Sequence, residues 1–84
     1  MTKQEIREKI VPFFTDEFEI DEVLITPEAN LRETLQLDSL DYVDLVVAIE
    51  GHFNFKVQQT DFHSIFTFDD LYSYIQVKTL PVAD

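Results

Sequence analysis

Leu37-Asp38-Ser39-Leu40-Asp41-Tyr42-Val43-Asp44-Leu45-Val46-Val47-Ala48-Ile49-Glu50 is the stretch on which the fold turns. Asp38 is of the residue type that accepts hydrogen bonds from the open amides of a first helical turn. Asp41, three residues later, strengthens that signal. The spacing predicts a helix over 39–50, with Gly51 as its C-terminal stop. At about 100° per residue, Tyr42, Leu45, Val46, Ile49 and then Phe53 project to one side, the expected core face. Leu40, Val43 and Val47 project to the opposite side, with Asp44 beside them and Asp41 and Glu50 as flanks. A surface helix needs one apolar stripe. A second stripe fringed with carboxylates is what a docking surface requires, apolar area for affinity and charge for steering. Burial on both sides would also explain two stripes. A bundle of three or four helices is a hard place to arrange that around acids at 41, 44 and 50.

Toward the N-terminus, Thr2-Lys3-Gln4-Glu5 has the form of a capping box. Ile6, Ile10, Phe13 or Phe14, and Phe18 recur at helical spacing and predict a helix over 2–18. Pro12 should distort it, since proline lacks a donor and crowds the carbonyl four residues back. From 19 to 37 the periodicity fades into a long connection, with one turn at Thr26-Pro27-Glu28. Ile20, Leu24, Ile25, Leu31, Leu35 and Leu37 are its apolar anchors. Beyond the central helix, a short helical piece is expected over 60–65. Thr67 then caps a last helix through 77, with Asp69 and Asp70 in its first turn. Residues 78–84 read as a frayed tail. The fold class is all-α: a small up-down bundle of three main helices plus one short helix, with a long loop after the first, as one domain over 1–84.

Composition limits the function. Seventeen Asp and Glu stand against six Lys and Arg, for a net charge of −11. Between Ile10 and Phe55 the sole Lys or Arg is Arg32. Nucleic acids and anionic membranes require a basic face, and none is present. The chain has no Cys, hence no disulfide and no thiolate metal site. No apolar run reaches transmembrane length and no signal peptide is visible, so the expected location is the cytoplasm. His52 and His63 read as surface or boundary residues, not metal ligands. Asp38, Asp41 and Asp44 lack the alternation of a calcium loop. No nucleophile elbow surrounds Ser39.

Ser39 falls in the first turn of the central helix. Unpaired amides and the positive end of the helix dipole suit a phosphate ester there. By itself, Asp-Ser-Leu is as readily part of a capping turn. The wider sequence is more specific. Ile25-Thr26-Pro27-Glu28-Ala29-Asn30-Leu31 precedes the motif, and Thr67-Phe68-Asp69-Asp70-Leu71-Tyr72-Ser73-Tyr74-Ile75 follows it. Together they resemble the prosthetic-group region of acyl carrier proteins over nearly the whole chain.

The resemblance implies that Ser39 takes phosphopantetheine from a phosphopantetheinyl transferase, which Asp38 helps to position. It implies a recognition face of Leu40, Asp41, Val43, Asp44, Val47 and Glu50 for basic patches on acyl-processing enzymes such as ketosynthase and acyltransferase. Tyr42, Leu45, Val46, Ile49, Phe53, Phe62 and Ile65 would line or border an apolar acyl pocket. The implied function is that of a monomeric, non-catalytic carrier of acyl thioesters in fatty acid or polyketide-like biosynthesis. The chain departs from the family pattern in places. Thr34-Leu35-Gln36 replaces the frequent Asp-Leu-Gly, and Val57-Gln58 the common Ile-Pro. Gln59, Thr60 and His63 dilute the usual acidity after the central helix, which points to different partners. Tyr42 is bulkier than usual, implying a shallower or reshaped pocket. Two other readings compete: a carrier of a non-fatty-acyl cargo, and an unmodified acidic adaptor that uses the same stripe without Ser39.

Overall fold

A computed structural model of the chain describes residues 2–79. Among these residues the helices are α1 (Lys3–Glu17), α2 (Leu31–Leu35), α3 (Ser39–Phe53) and α4 (Phe68–Lys78), with 3₁₀ turns at Glu22–Leu24 and Gln59–Ser64. The expected all-α bundle of three main helices is present. No strand occurs among the described residues, only a single antiparallel bridge between Asn30 and Thr67. Of the tail expected at 78–84, Lys78 ends α4, and the part from Leu80 onward lies outside the described residues.

α1 opens with the capping box read from the sequence. The Glu5 amide donates to Thr2 Oγ1 at 3.1 Å, and the Thr2 amide to Glu5 Oε1 at 3.0 Å. The helix runs through Pro12 without a break. An interior proline costs about 3 kcal/mol. The buried stripe of Ile6, Ile10, Val11 and Phe14 spans both sides of it, and each such side chain contributes roughly 1.5–3 kcal/mol. Burial therefore outweighs the lost bond. The Thr15 hydroxyl also donates to the Pro12 carbonyl at 3.1 Å.

α3 does not stop at Gly51. It continues to Phe53, which extends the buried face one turn beyond Ile49. Asn54 then turns left-handed at φ 57°, and its amide donates to the Glu50 carbonyl at 3.0 Å. Asparagine tolerates that conformation well enough to end a helix without glycine.

The connection expected to be irregular contains α2. Its five residues are too few to display a helical period. Asn30 caps it through a 2.9 Å bond from the Glu33 amide, and Leu31 and Leu35 are buried one turn apart. The turn at 26–29 closes with the Ala29 amide on the Thr26 carbonyl at 3.1 Å. Ile25 is a buried anchor, as expected, whereas Leu24 is exposed on its 3₁₀ turn.

This connection is clasped to the start of α4. The Leu31 amide donates to Phe66 O at 2.8 Å, the Phe68 amide to Ala29 O at 3.2 Å, and the Asp69 amide to Pro27 O at 3.0 Å. The core beneath is fully buried at Ile6, Ile10 and Phe14 of α1, Leu45 and Ile49 of α3, and Phe68, Leu71 and Ile75 of α4. The rings of Phe14 and Phe68 meet edge-on at 5.6 Å. Lys3 Nζ pairs with Asp69 at 3.0 Å. On the other side, the Tyr74 hydroxyl donates to Asp61 Oδ2 at 2.8 Å and ties α4 to the second 3₁₀ turn. Burial, reinforced by that bond, pushes the Tyr74 hydroxyl up to about 12.

Candidate functional site

The first turn of α3 carries an open end. The Asp41 amide donates to Asp38 Oδ1 at 2.9 Å and the Tyr42 amide to the Asp38 carbonyl at 3.0 Å. The Asp38 amide makes a long 3.4 Å return bond to Asp41 Oδ2. Among the described residues, the amides of Ser39 and Leu40 have no protein acceptor. Ser39 itself is exposed. A solvent-facing hydroxyl thus stands beside two unspent amides at the positive end of a helix of 15 residues. Such a donor set fits a phosphodiester attached through that hydroxyl.

Along α3 the two stripes separate as the helical wheel requires. Leu45 and Ile49 are fully buried, while Leu40, Val43 and Val47 are 76%, 51% and 60% exposed. Asp44 is exposed beside them. The two flanking acids have internal duties. Asp41 is half-buried in the capping box. Glu50 Oε2 accepts the Val57 amide at 3.0 Å and holds the chain after α3 in place.

A cleft of about 710 Å³ opens beside Ser39. Tyr42, Val43 and Val46 of α3 form one wall. Phe62, His63, Ile65 and Phe66 form the second, and Asn30, Arg32 and Glu33 close the end near α2. Four of the residues assigned to an acyl pocket, Tyr42, Val46, Phe62 and Ile65, line this cleft; Leu45, Ile49 and Phe53 sit in the core instead. The Tyr42 ring meets Phe62 edge-on at 6.0 Å and stands as a wall, leaving the cleft open. Arg32 Nε donates to the Tyr42 hydroxyl at 3.1 Å, and its guanidinium lies 5.2 Å from the ring centre.

Sequence reading did not place Asn30, Arg32, Glu33, His63 and Phe66 at this site. Arg32 carried a signal, as the lone base in a long acidic run. Phe66 carried none, because its exposure follows from a backbone held by the Leu31 amide and the Asp70 carboxylate. His52 packs its ring against Phe13 and Phe53. Among the described residues no three His, Cys, Asp or Glu side chains are grouped to hold a metal ion, and no helix is long and apolar enough to cross a membrane.

The profile of a family described as "Phosphopantetheine attachment site" matches residues 8–75. The chain is 39% identical over 77 residues to the acyl carrier protein of Thermotoga maritima, covering 92% of this chain and 95% of that one. It is 38% identical over 76 residues to acyl carrier protein 2 of Ralstonia nicotianae, covering 90% and 94%. It is 40% identical over 67 residues to the acyl carrier protein of Syntrophobacter fumaroxidans, covering 80% and 83%.

Proposed function

The chain belongs to the acyl carrier protein family, with that family's phosphopantetheine attachment domain, and we propose that it is a non-catalytic carrier loaded on Ser39. The observation that carries this reading is the exposed Ser39 hydroxyl beside the open amides of Ser39 and Leu40, inside the stretch that the family profile matches. When bound, the group supplies a terminal thiol that holds an acyl chain as a thioester and a flexible reach between active sites. Everything else falls to the residues of this chain. Asp38 fixes the first turn and so the position of the Ser39 hydroxyl that a phosphopantetheinyl transferase uses. The amides of Ser39 and Leu40 would hold the phosphate oxygens.

Leu40, Val43 and Val47 supply apolar contact area to successive enzymes, and Asp44 steers basic patches toward it. Such contacts are weak and salt-sensitive, which suits a carrier that must leave each enzyme it visits. The setting is cytoplasmic biosynthesis of fatty acyl or polyketide-like chains. The competing reading is an unmodified acidic adaptor. It uses the same stripe and has no need of Ser39.

Intact-protein mass separates the two. Incubation with coenzyme A and a broad-specificity phosphopantetheinyl transferase is expected to add one phosphopantetheine, and Ser39→Ala to add none. The added group would be the only thiol in a chain without Cys, so thiol labelling reads the same event independently. An unchanged mass, with a known carrier modified in the same tube, would overturn Ser39 as the attachment point and favour the adaptor.

A further inference from the structure

Arg32 is the sole Lys or Arg between Ile10 and Phe55 in a chain of 17 acids. Among the described residues it nevertheless forms no ion pair. Its Nε is spent on the Tyr42 hydroxyl. An arginine carries five N–H donors in a fixed fork, so the terminal nitrogens remain without a protein acceptor among the described residues. They stand at the rim of the cleft that starts at Ser39. Val46, Phe62 and Phe66 give that cleft an apolar, aromatic wall, and Arg32, Asn30 and His63 give it polar groups. A volume of about 710 Å³ lies within the usual range for small-molecule sites.

We propose that this cleft receives an oxygenated acyl chain, bearing oxo or hydroxyl groups, and that Arg32 recognises its oxygen. The inference rests on the carrier reading of Ser39. A plain alkyl chain laid against the guanidinium would strip water from its donors and return no acceptor. A carboxylate-bearing chain would face Glu33 on the same rim and a net charge of −11. A neutral carbonyl or hydroxyl oxygen escapes both penalties and leaves the rest of the chain to the aromatic wall.

The test loads the phosphopantetheinylated protein with octanoyl or β-oxo-octanoyl groups and follows thioester hydrolysis in the wild type, Arg32→Leu and Arg32→Lys. Comparing each chain with itself across variants cancels its intrinsic reactivity. A hydrogen bond from a charged donor predicts that Arg32→Leu releases the β-oxo chain roughly tenfold faster. The octanoyl chain should change less than about twofold, and Arg32→Lys should fall between. In the wild type, the terminal Nη–H NMR resonances of Arg32 should shift with β-oxo-octanoyl and not with octanoyl, a readout that needs no variant. Equal acceleration of both chains, or Nη–H resonances indifferent to cargo, would overturn the inference while leaving the carrier intact. Absence of any mass gain at the loading step would instead overturn the carrier reading, and this inference with it.

Discussion

Helices α3 and α4 both open with a capping box, an acceptor at the cap and an aspartate three positions on, yet their first turns meet opposite fates. At α4 the Phe68 and Asp69 amides are taken by the carbonyls of Ala29 and Pro27, the Asp70 amide by Thr67 Oγ1, and the Leu71 amide by the Thr67 carbonyl. The Asp70 carboxylate accepts both the Phe66 and Thr67 amides. At α3 the same local code leaves the Ser39 and Leu40 amides open. The first helical residue is fully buried Phe68 in one case and exposed Ser39 in the other. A cap specifies where a helix begins. Whether that beginning becomes structure or a site depends on what the rest of the chain delivers to it, here the clasp from the 27–31 segment.

The largest effect that bears on this contrast compares the two first residues. Phe68→Ala is expected to cost about 3–5 kcal/mol, a large part of the total stability of a domain this small. Ser39→Ala should stay within about 0.5 kcal/mol of wild type, although under the proposed function it is expected to abolish loading. Denaturant unfolding of both variants checks this, and comparable losses would break the comparison. The caps come next. Thr67→Ala should cost about 1–2 kcal/mol and Asp38→Ala about 0.5–1 kcal/mol, because the Thr67 cap is half-buried in the clasp and the Asp38 cap faces water. A reversed order would show that the α3 start is the better-anchored one.

The smallest effect is a pH dependence. Hydrogen bonds from the Thr67 and Phe66 amides hold the Asp70 carboxyl below the ordinary aspartate value of 3.8. A depressed acid contributes stability above its unfolded value, and that contribution disappears as pH falls through the folded one. The Tm of the wild type should therefore drop on acidification from about pH 4 downward, and Asp70→Asn should show a shallower acid limb. An unchanged limb in the variant would remove Asp70 from the account.

What could be read in the sequence was what repeats locally. The cap residues Thr2, Asp38 and Thr67, the acids Glu5, Asp41 and Asp70, and the two stripes of α3 all follow from spacing. What escaped depends on distance along the chain. Nothing near Asn30 announces its bridge to Thr67, and nothing near Arg32 announces Tyr42. Glu50 reads as a surface acid until Val57 folds back onto it. Gly51 misled for a different reason: one glycine in a chain that has no other attracts the role of helix stop, while Phe53 still had a core to reach. The exposure of Ser39 and of the Leu40, Val43 and Val47 stripe was thus legible. Its cleft was half legible, because the α2 rim is built by a helix too short to leave a period.

The contact of Phe14 with Phe68 and the pairing of Lys3 with Asp69, 66 positions apart, also govern when the molecule can form. During synthesis at 5–20 residues per second, α1 waits on the order of 3–13 s for the residues it closes against. Through that interval Ile6, Ile10 and Phe14 have no α4 to cover them. Closure of the core therefore waits on the last helix, however early α1 itself can form. A ribosome stalled before Phe68 would hold a chain that has α3 and its exposed serine but no finished core behind them.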